Sequence, residues 1–387
     1  MAGGSSSHRE GNLFGLAMLI SGTFSTVIMK TEYGVRAHGT ELCADPQAPV
    51  NGSEPALTTL CPFDKPWFGV LQMKLAMALV LVFLYLRKAA THSDYLATPL
   101  ARLRKDGKKY MNTPEMARGS VIIFSAVFSV RLMGKRLYAY HYMSILVVAI
   151  SVVLVGWAGV GHGDSSSKDS TKTQAESDEE TWNALLGLGF IIAAQVLCAL
   201  QIVVEEHMMV ALNVSPMLLV GLEGLWGLVF YVVLIPVLTL TPASTTGFSK
   251  IWHEDFYDSF VKVGNSPTLV ALIVVYIVAV GTLNVTANYV TKHLSAVMRS
   301  IAETLRTLGV WMLSLFVYYV LKWQGPNSAG EQWTLYSWVE LLGFVLMVYG
   351  TLAYKKMIQI PFRALYVGEA RERVAVYKSP YMSSMHK

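Results

Sequence analysis

Long apolar runs recur along this chain, divided by shorter polar stretches, and the alternation predicts nine membrane-crossing helices. They lie at Asn12–Tyr33, Pro66–Arg87, Glu115–Met133, Tyr140–Val160, Trp182–Val204, Pro216–Leu238, Thr268–Val290, Leu294–Leu321 and Leu335–Tyr354. A bilayer core about 30 Å thick needs about 20 apolar residues in a helix. Helices are expected because a chain in lipid must satisfy its own backbone hydrogen bonds.

The run Leu294–Leu321 departs from plain apolarity. It carries Arg299, Glu303 and Arg306, which fall on one helical stripe at i, i+4 and i+7. A charge at membrane depth costs at least about 2.5 kcal/mol on insertion scales, so it faces protein, water or a ligand. The stripe therefore lines a polar cavity, or forms an Arg–Glu–Arg ladder locking two helices together. The ladder leaves one positive charge over, which favours the cavity and points to an anionic solute.

Composition agrees with the pattern. Of 387 residues, 53% are hydrophobic and 15% charged, with mean hydropathy +0.43. Soluble domains carry about 25% charged residues. The net charge of +5 sits in short flanks of the apolar runs, where it reports topology rather than nucleic-acid binding. Residues 1–11 and the basic tail 355–387 read as cytosolic. The segment Arg87–Tyr110 and the cluster Arg131, Lys135 and Arg136 read likewise. The loop Gly34–Lys65 holds Cys43, Cys61 and the sequon Asn51-Gly52-Ser53, which together predict a lumenal or extracellular loop with a disulfide and a glycan at Asn51. The acidic, Ser-rich segment 161–181 reads as a flexible linker on that same side. Cys198, in mid-span, reads as plain packing.

Residues 12–160 and 182–354 overlay as two halves of a duplication. Gly15-Leu16-Ala17 matches Gly187-Leu188-Gly189, Pro66 matches Pro216, and Arg118-Gly-Ser-Val matches Arg306-Thr-Leu-Gly. Only one apolar run lies between the basic stretches at Arg87 and Arg131, whereas two cytosolic loops need an even number of crossings. The overlay locates the shortfall near 88–117: a third span and the first half of the fourth are missing, through a skipped exon or a truncated gene model. The alternative is that Glu115–Met133 re-enters without crossing.

These motifs carry a resemblance to the drug/metabolite transporter superfamily, and within it to solute carrier family 35, subgroup F, of the sixth-member type. Its bearers are Arg118-Gly-Ser-Val-Ile-Ile-Phe-Ser and Gly134-Lys-Arg-Leu, then Ala194-Gln195, Gln201-Ile-Val-Val-Glu205-Glu206 and Asn213-Val-Ser-Pro216. Gly221-Leu-Glu223-Gly224, Gly227, Arg299 and Leu305-Arg306-Thr complete it. The resemblance implies an all-α integral membrane protein of ten helices in two inverted five-helix repeats, about nine of them present here. It implies alternating access to a central cavity, cytosolic termini and an endomembrane location: lysosome, vacuole or Golgi.

The remaining polar residues within spans are candidates for the cavity wall. Glu223 lies beside Gly221, Gly224 and Gly227, which permit close helix approach; it is a cavity counter-charge or the partner of Lys74, Arg299 or Arg306. Lys74 is the charge inside the second run. Gln195 and Gln201 share a helix that ends in Glu205-Glu206-His207, read as a solvated helix end. Asn284 and Asn288, at i and i+4, bond a solute or a neighbouring helix. Neither a phosphate-binding loop, a dinucleotide fingerprint, a nucleophile elbow nor a metal pattern occurs in the sequence, so an enzyme is not expected, and neither a cofactor nor a metal. The expected function is secondary transport of a small polar or anionic organic solute, nucleotide-sugar-like. The alternatives are a non-transporting membrane scaffold or a truncated, inactive form. The expected partners are a solute and membrane lipid, not nucleic acid, with a homodimer left open.

Overall fold

A computed structural model describes residues 3–44, 57–91, 201–242, 253–322, 330–354 and 356–358, with position 198 and scattered positions from 139 to 155. The expected spans at 115–133 and most of 182–204, the linker 161–181, the tail beyond 358, Gln195 and Asn51 lie outside the described residues. Chain order gives α1 (Gly3–Gly34), β1 (Arg36–Ala44), β2 (Leu57–Pro62) and α2 (Pro66–Thr91). Then come α3 (201–211), α4 (Pro216–Leu240), α5 (Phe256–Asn265), α6 (Pro267–His293), α7 (Ala296–Tyr319) and α8 (Ser337–Tyr354). Six helices among the described residues are long and apolar enough to cross a membrane: α1, α2, α4, α6, α7 and α8. The protein is a multi-pass, predominantly helical membrane protein.

The chain divides into two compact units, residues 1–122 with 201–332 and residues 123–200 with 333–387. In the second unit α8 runs antiparallel to helical positions between 139 and 155. Gly343 meets Ser151 and Val155, and Gly350 meets Ser144 and Val148. The seven-residue spacing on both sides brings small faces together every second turn. Lys356 stands 4.7 Å over the ring of Tyr140. Cys198 is exposed, contrary to the expected packing role.

In the first unit α1 packs along α6 and α7, and α2 packs along α4. The core between α1, α2, α6 and α7 is Met18, Ala76, Tyr276, Val280, Leu283, Ala287 and Ala302. Gly221, Gly224 and Gly227 of α4 face Leu81, Met77–Ala78 and Lys74 of α2, as the glycine spacing predicted. A side chain at any of these three would push into α2, so the glycines set how closely the two helices approach.

The loop after α1 is not irregular. β1 and β2 pair antiparallel, with Arg36 opposite Pro62 and Ala37 opposite Cys61, and the predicted disulfide Cys43–Cys61 closes it. The chain is thus not purely α: two short strands sit outside the membrane, where a strand pair needs no barrel to satisfy its edges. The hairpin docks on α5, an element the sequence reading missed. Asp255 caps α5 by accepting from Tyr257 N (2.8 Å) and Asp258 N (3.4 Å).

Hairpin and α5 are pinned by charge. Asp258 Oδ1 accepts from Thr40 N at 2.7 Å and Glu41 N at 3.1 Å. Its Oδ2 pairs with Lys262 at 2.7 Å and Lys65 at 3.1 Å, and Lys65 also reaches Glu41 at 2.7 Å. Burial alone would raise the Asp258 carboxyl; the bonds from Lys262, the two backbone amides and Lys65 outweigh it and hold the group well below the usual carboxylate range. Burial alone would lower Lys65, but Glu41 and Asp258 hold it above the ordinary lysine value. Glu254 caps the start of α2, accepting from Trp67 N at 2.8 Å and Phe68 N at 2.7 Å. Burial nevertheless keeps its carboxyl above the ordinary value. Phe63, Phe68, Tyr231, Leu238, Phe256 and Leu269 form an apolar plug beneath this cap.

Candidate functional site

The polar residues scattered through the helices of the first unit converge into one connected chain. Its geometry starts from two tight helical hairpins. Asn213, in the left-handed region at φ 52°, ends α3, and Val214 N donates back to Met208 O at 3.3 Å. Pro216 then opens α4, so Gln201 and Glu205 come to lie alongside Glu223. Ser295 caps α7 by accepting from Met298 N at 3.2 Å, and the turn at Leu294 and Ser295 sets Arg299 next to Asn288 of α6.

From these placements the contacts follow. Lys74 of α2 pairs with Glu223 of α4 at 3.3 Å. Gln201 of α3 donates to Glu223 at 2.8 Å and to Glu205, one turn along its own helix, at 2.7 Å. Glu205 pairs with Arg299 of α7, and Arg299 donates to Asn288 of α6 at 2.8 Å. Five helices thus share one row of polar side chains. Lys74 lies eight residues, about 12 Å, below the start of α2, and Asn288 lies 21 residues, about 32 Å, below the start of α6. Both starts adjoin the cap, so the row descends about 20 Å through the apolar helices. That depth exceeds half of a bilayer core.

The stripe on α7 divides. Arg299 turns to Glu205, while Arg306 pairs with Glu303 at 3.5 Å. The stem of Arg306 crosses α1 at Gly22, where a methyl group would meet its Cδ. Neither the Arg–Glu–Arg ladder nor the surplus positive charge survives. Glu205 supplies the missing negative charge, and the three pairs balance. Glu205, expected as a solvated helix end, is 5% exposed. Its sequence position at the foot of a helix suggested water; the short turn at Asn213 instead folds that foot against α4.

Exposure grades the pairs. The side chains of Arg299 and Glu205 are 10% and 7% exposed, those of Lys74 and Glu223 20% and 27%, and those of Arg306 and Glu303 30% and 31%. Arg299–Glu205 is a closed lock; the other two are partly open. A buried pair contributes little net stability once formed, yet breaking it by removing one partner costs about 3–5 kcal/mol. The row can therefore re-pair at modest cost only if another charge takes the vacated place. Asn284 turns away from the row and donates to Val280 O of its own helix at 2.8 Å. Among the described residues no group of His, Cys, Asp and Glu could hold a metal ion.

The chain is similar to solute carrier family 35 member F6 of Homo sapiens and of Pongo abelii, 32% identical over 241 residues in each. The match covers 62% of this chain and 58% of the relative, so the chain spans less than three fifths of the length of these relatives. An uncharacterised protein of Schizosaccharomyces pombe is 28% identical over 247 residues, 64% of this chain and 67% of that one. A UDP-N-acetylglucosamine/UDP-N-acetylgalactosamine transporter of Caenorhabditis elegans is 33% identical over 73 residues, 19% of this chain and 20% of its own length. No family model matches, and no solved structure matches.

Proposed function

Membership of solute carrier family 35, subgroup F, is what these relatives support, and from that premise we propose that the protein is a secondary transporter of a small polar organic solute, working by alternating access. The row Lys74–Glu223–Gln201–Glu205–Arg299–Asn288 carries the reading. Its members sit on five helices, from the third turn of α2 at Lys74 to the first turn of α7 at Arg299, where an inert bundle would use apolar packing. Paired charges bridged by an amide can exchange partners as helices move, and a solute bearing both donors and acceptors can take a vacated place. Because Glu205 neutralises Arg299, an anionic solute would enter by displacing a carboxylate rather than by meeting a bare cation. The polar face of a nucleotide sugar has that chemistry; its carriage here is part of the proposal. The disulfide-closed hairpin is assigned to the lumenal or extracellular side and both termini to the cytosol of an endomembrane.

The test is uptake of radiolabelled nucleotide sugars and related polar solutes into vesicles holding the purified protein. At least one solute should accumulate, and Glu223→Gln or Arg306→Gln should slow it about tenfold or more. A second reading, a non-transporting scaffold, is favoured by the single apolar run between Arg87 and Arg131. Zero flux across the whole panel, from protein shown to be folded, would select it.

A further inference from the structure

Six buried side-chain polar atoms lack a hydrogen-bond partner among the described residues, and three fall at one place. They are Glu32 Oε2, Gln72 Oε1 and Tyr33 Oη, where the last turn of α1 meets the second turn of α2. Glu32 is fully buried and Gln72 is 3% exposed. Gln72 Nε2 donates to Glu32 Oε1 at 2.6 Å. Tyr33 Oη lies against Gly69, one turn before Gln72 on the same face of α2.

The chemistry of this contact is incomplete with an ionised carboxylate. Oε2 of Glu32 and Oε1 of Gln72 are both acceptors, and neither has a donor. Leaving a buried polar group unpaired costs about 1–3 kcal/mol, more for a charged one. Among the described residues no cation stands within ion-pair distance of Glu32. The groups around it can be named element by element. On α1, Lys30 pairs with Glu331 at 3.4 Å. On α6 the neighbour is the phenol of Tyr276, and on α7 Arg306, within reach of that phenol, pairs with Glu303. Asp64 and Glu254, from the segments entering α2 and α5, bear on Tyr33 and add only negative charge. One proton on Glu32 Oε2 converts an orphaned acceptor into a donor, and its natural complement is the unpaired amide oxygen of Gln72, whose Nε2 already bonds the same carboxyl group. The carboxylic acid and the amide then satisfy each other, donor to acceptor, in both directions.

We infer that Glu32 and Gln72 form a buried proton-binding site where α1 meets α2, Glu32–COO⁻ plus H⁺ giving Glu32–COOH. The site rests on these unpaired oxygens and not on the carrier reading above. Three oxygens, one of them the phenol oxygen of Tyr33, make a poor cage for a metal cation, whereas a proton needs one acceptor on each side.

The experiment uses the full chain in lipid and the proton as its own probe. Infrared difference spectra are recorded as pH is stepped from 4 to 10. A protonated-carboxyl carbonyl band that titrates within this range and is lost in Glu32→Gln is the expected result. Gln72→Leu should keep the band and move it to higher frequency, because the carbonyl loses its donor. Glu32→Gln should fold, since its amide can reproduce both bonds, and a matching melting curve checks this. Absence of any Glu32-dependent band, or a band that responds to sodium rather than to pH, overturns the inference. A titrating band in protein that moves no solute leaves the site standing and sinks the carrier reading; flux without the band does the reverse.

Discussion

The cap and the membrane row are built from the same residue types and behave differently. In the cap, Asp258 receives two backbone amides and the Thr40 hydroxyl on one oxygen and pairs with two lysines through the other, so both oxygens are engaged. The hairpin it holds is also bonded covalently through Cys43–Cys61. In the row, each carboxylate has one cation and shares one glutamine amide. A saturated cluster has nothing to gain by rearranging; a chain of single pairs has neighbours ready to substitute. The first is a fastening and the second is a set of exchangeable contacts.

The largest expected effect falls on the tightest pair of the row. Glu205→Gln or Arg299→Gln alone should lower stability by about 3–5 kcal/mol, and the double variant should recover most of it. Melting curves in detergent measure this; additive losses in the double variant would mean the two side chains do not act as a pair. Next comes the staple. Cys43→Ser with Cys61→Ser opens a loop of sequence separation 18 and should cost about 3 kcal/mol, read as proteolysis of the hairpin. Flux should fall less than stability if the cap is only a fastening.

A methyl group at Gly227, which would meet Cγ, Cδ and Cε of Lys74, should cost about 1–3 kcal/mol by displacing that stem between α2 and α4. It should also loosen Lys74 from Glu223, so the Glu223→Gln effect on uptake should shrink in its presence. The smallest effect at neutral pH is acid sensitivity of the cap. Asp258 is held below its unfolded value, so its stabilisation is complete above about pH 4 and is lost as pH falls through the folded value. Protection of the Thr40 and Glu41 amides against hydrogen exchange should decline over that acid range, while the helices of the row keep theirs.

Much of this contrast could be read from the chain. The spacing of Gly221, Gly224 and Gly227 foretold the α2–α4 contact, and the choice left for Glu223 included Lys74, which is its partner. The two cysteines in one loop foretold the disulfide. What escaped was of two kinds. Arg299 and Glu205 are 94 residues apart, and nothing periodic joins them. The stripe on α7 therefore looked self-contained and short of one negative charge. The cap escaped because a ten-residue helix and short strands give weak patterns beside long apolar runs. Asp255 ahead of Phe256-Tyr-Asp258 was the capping signal available for α5.

Central to the account is that the row borders water within the membrane. Single cysteines at Gln201, Glu223 and Val232, in protein with Cys198 replaced by alanine and reconstituted in lipid, put this directly to a membrane-impermeant maleimide. Val232 is 73% exposed on α4 and stands for the lipid-facing surface. Labelling at 201 and 223 well above that at 232 is the predicted result. Equal, negligible labelling at all three would contradict it, leaving charges sealed inside a dry bundle.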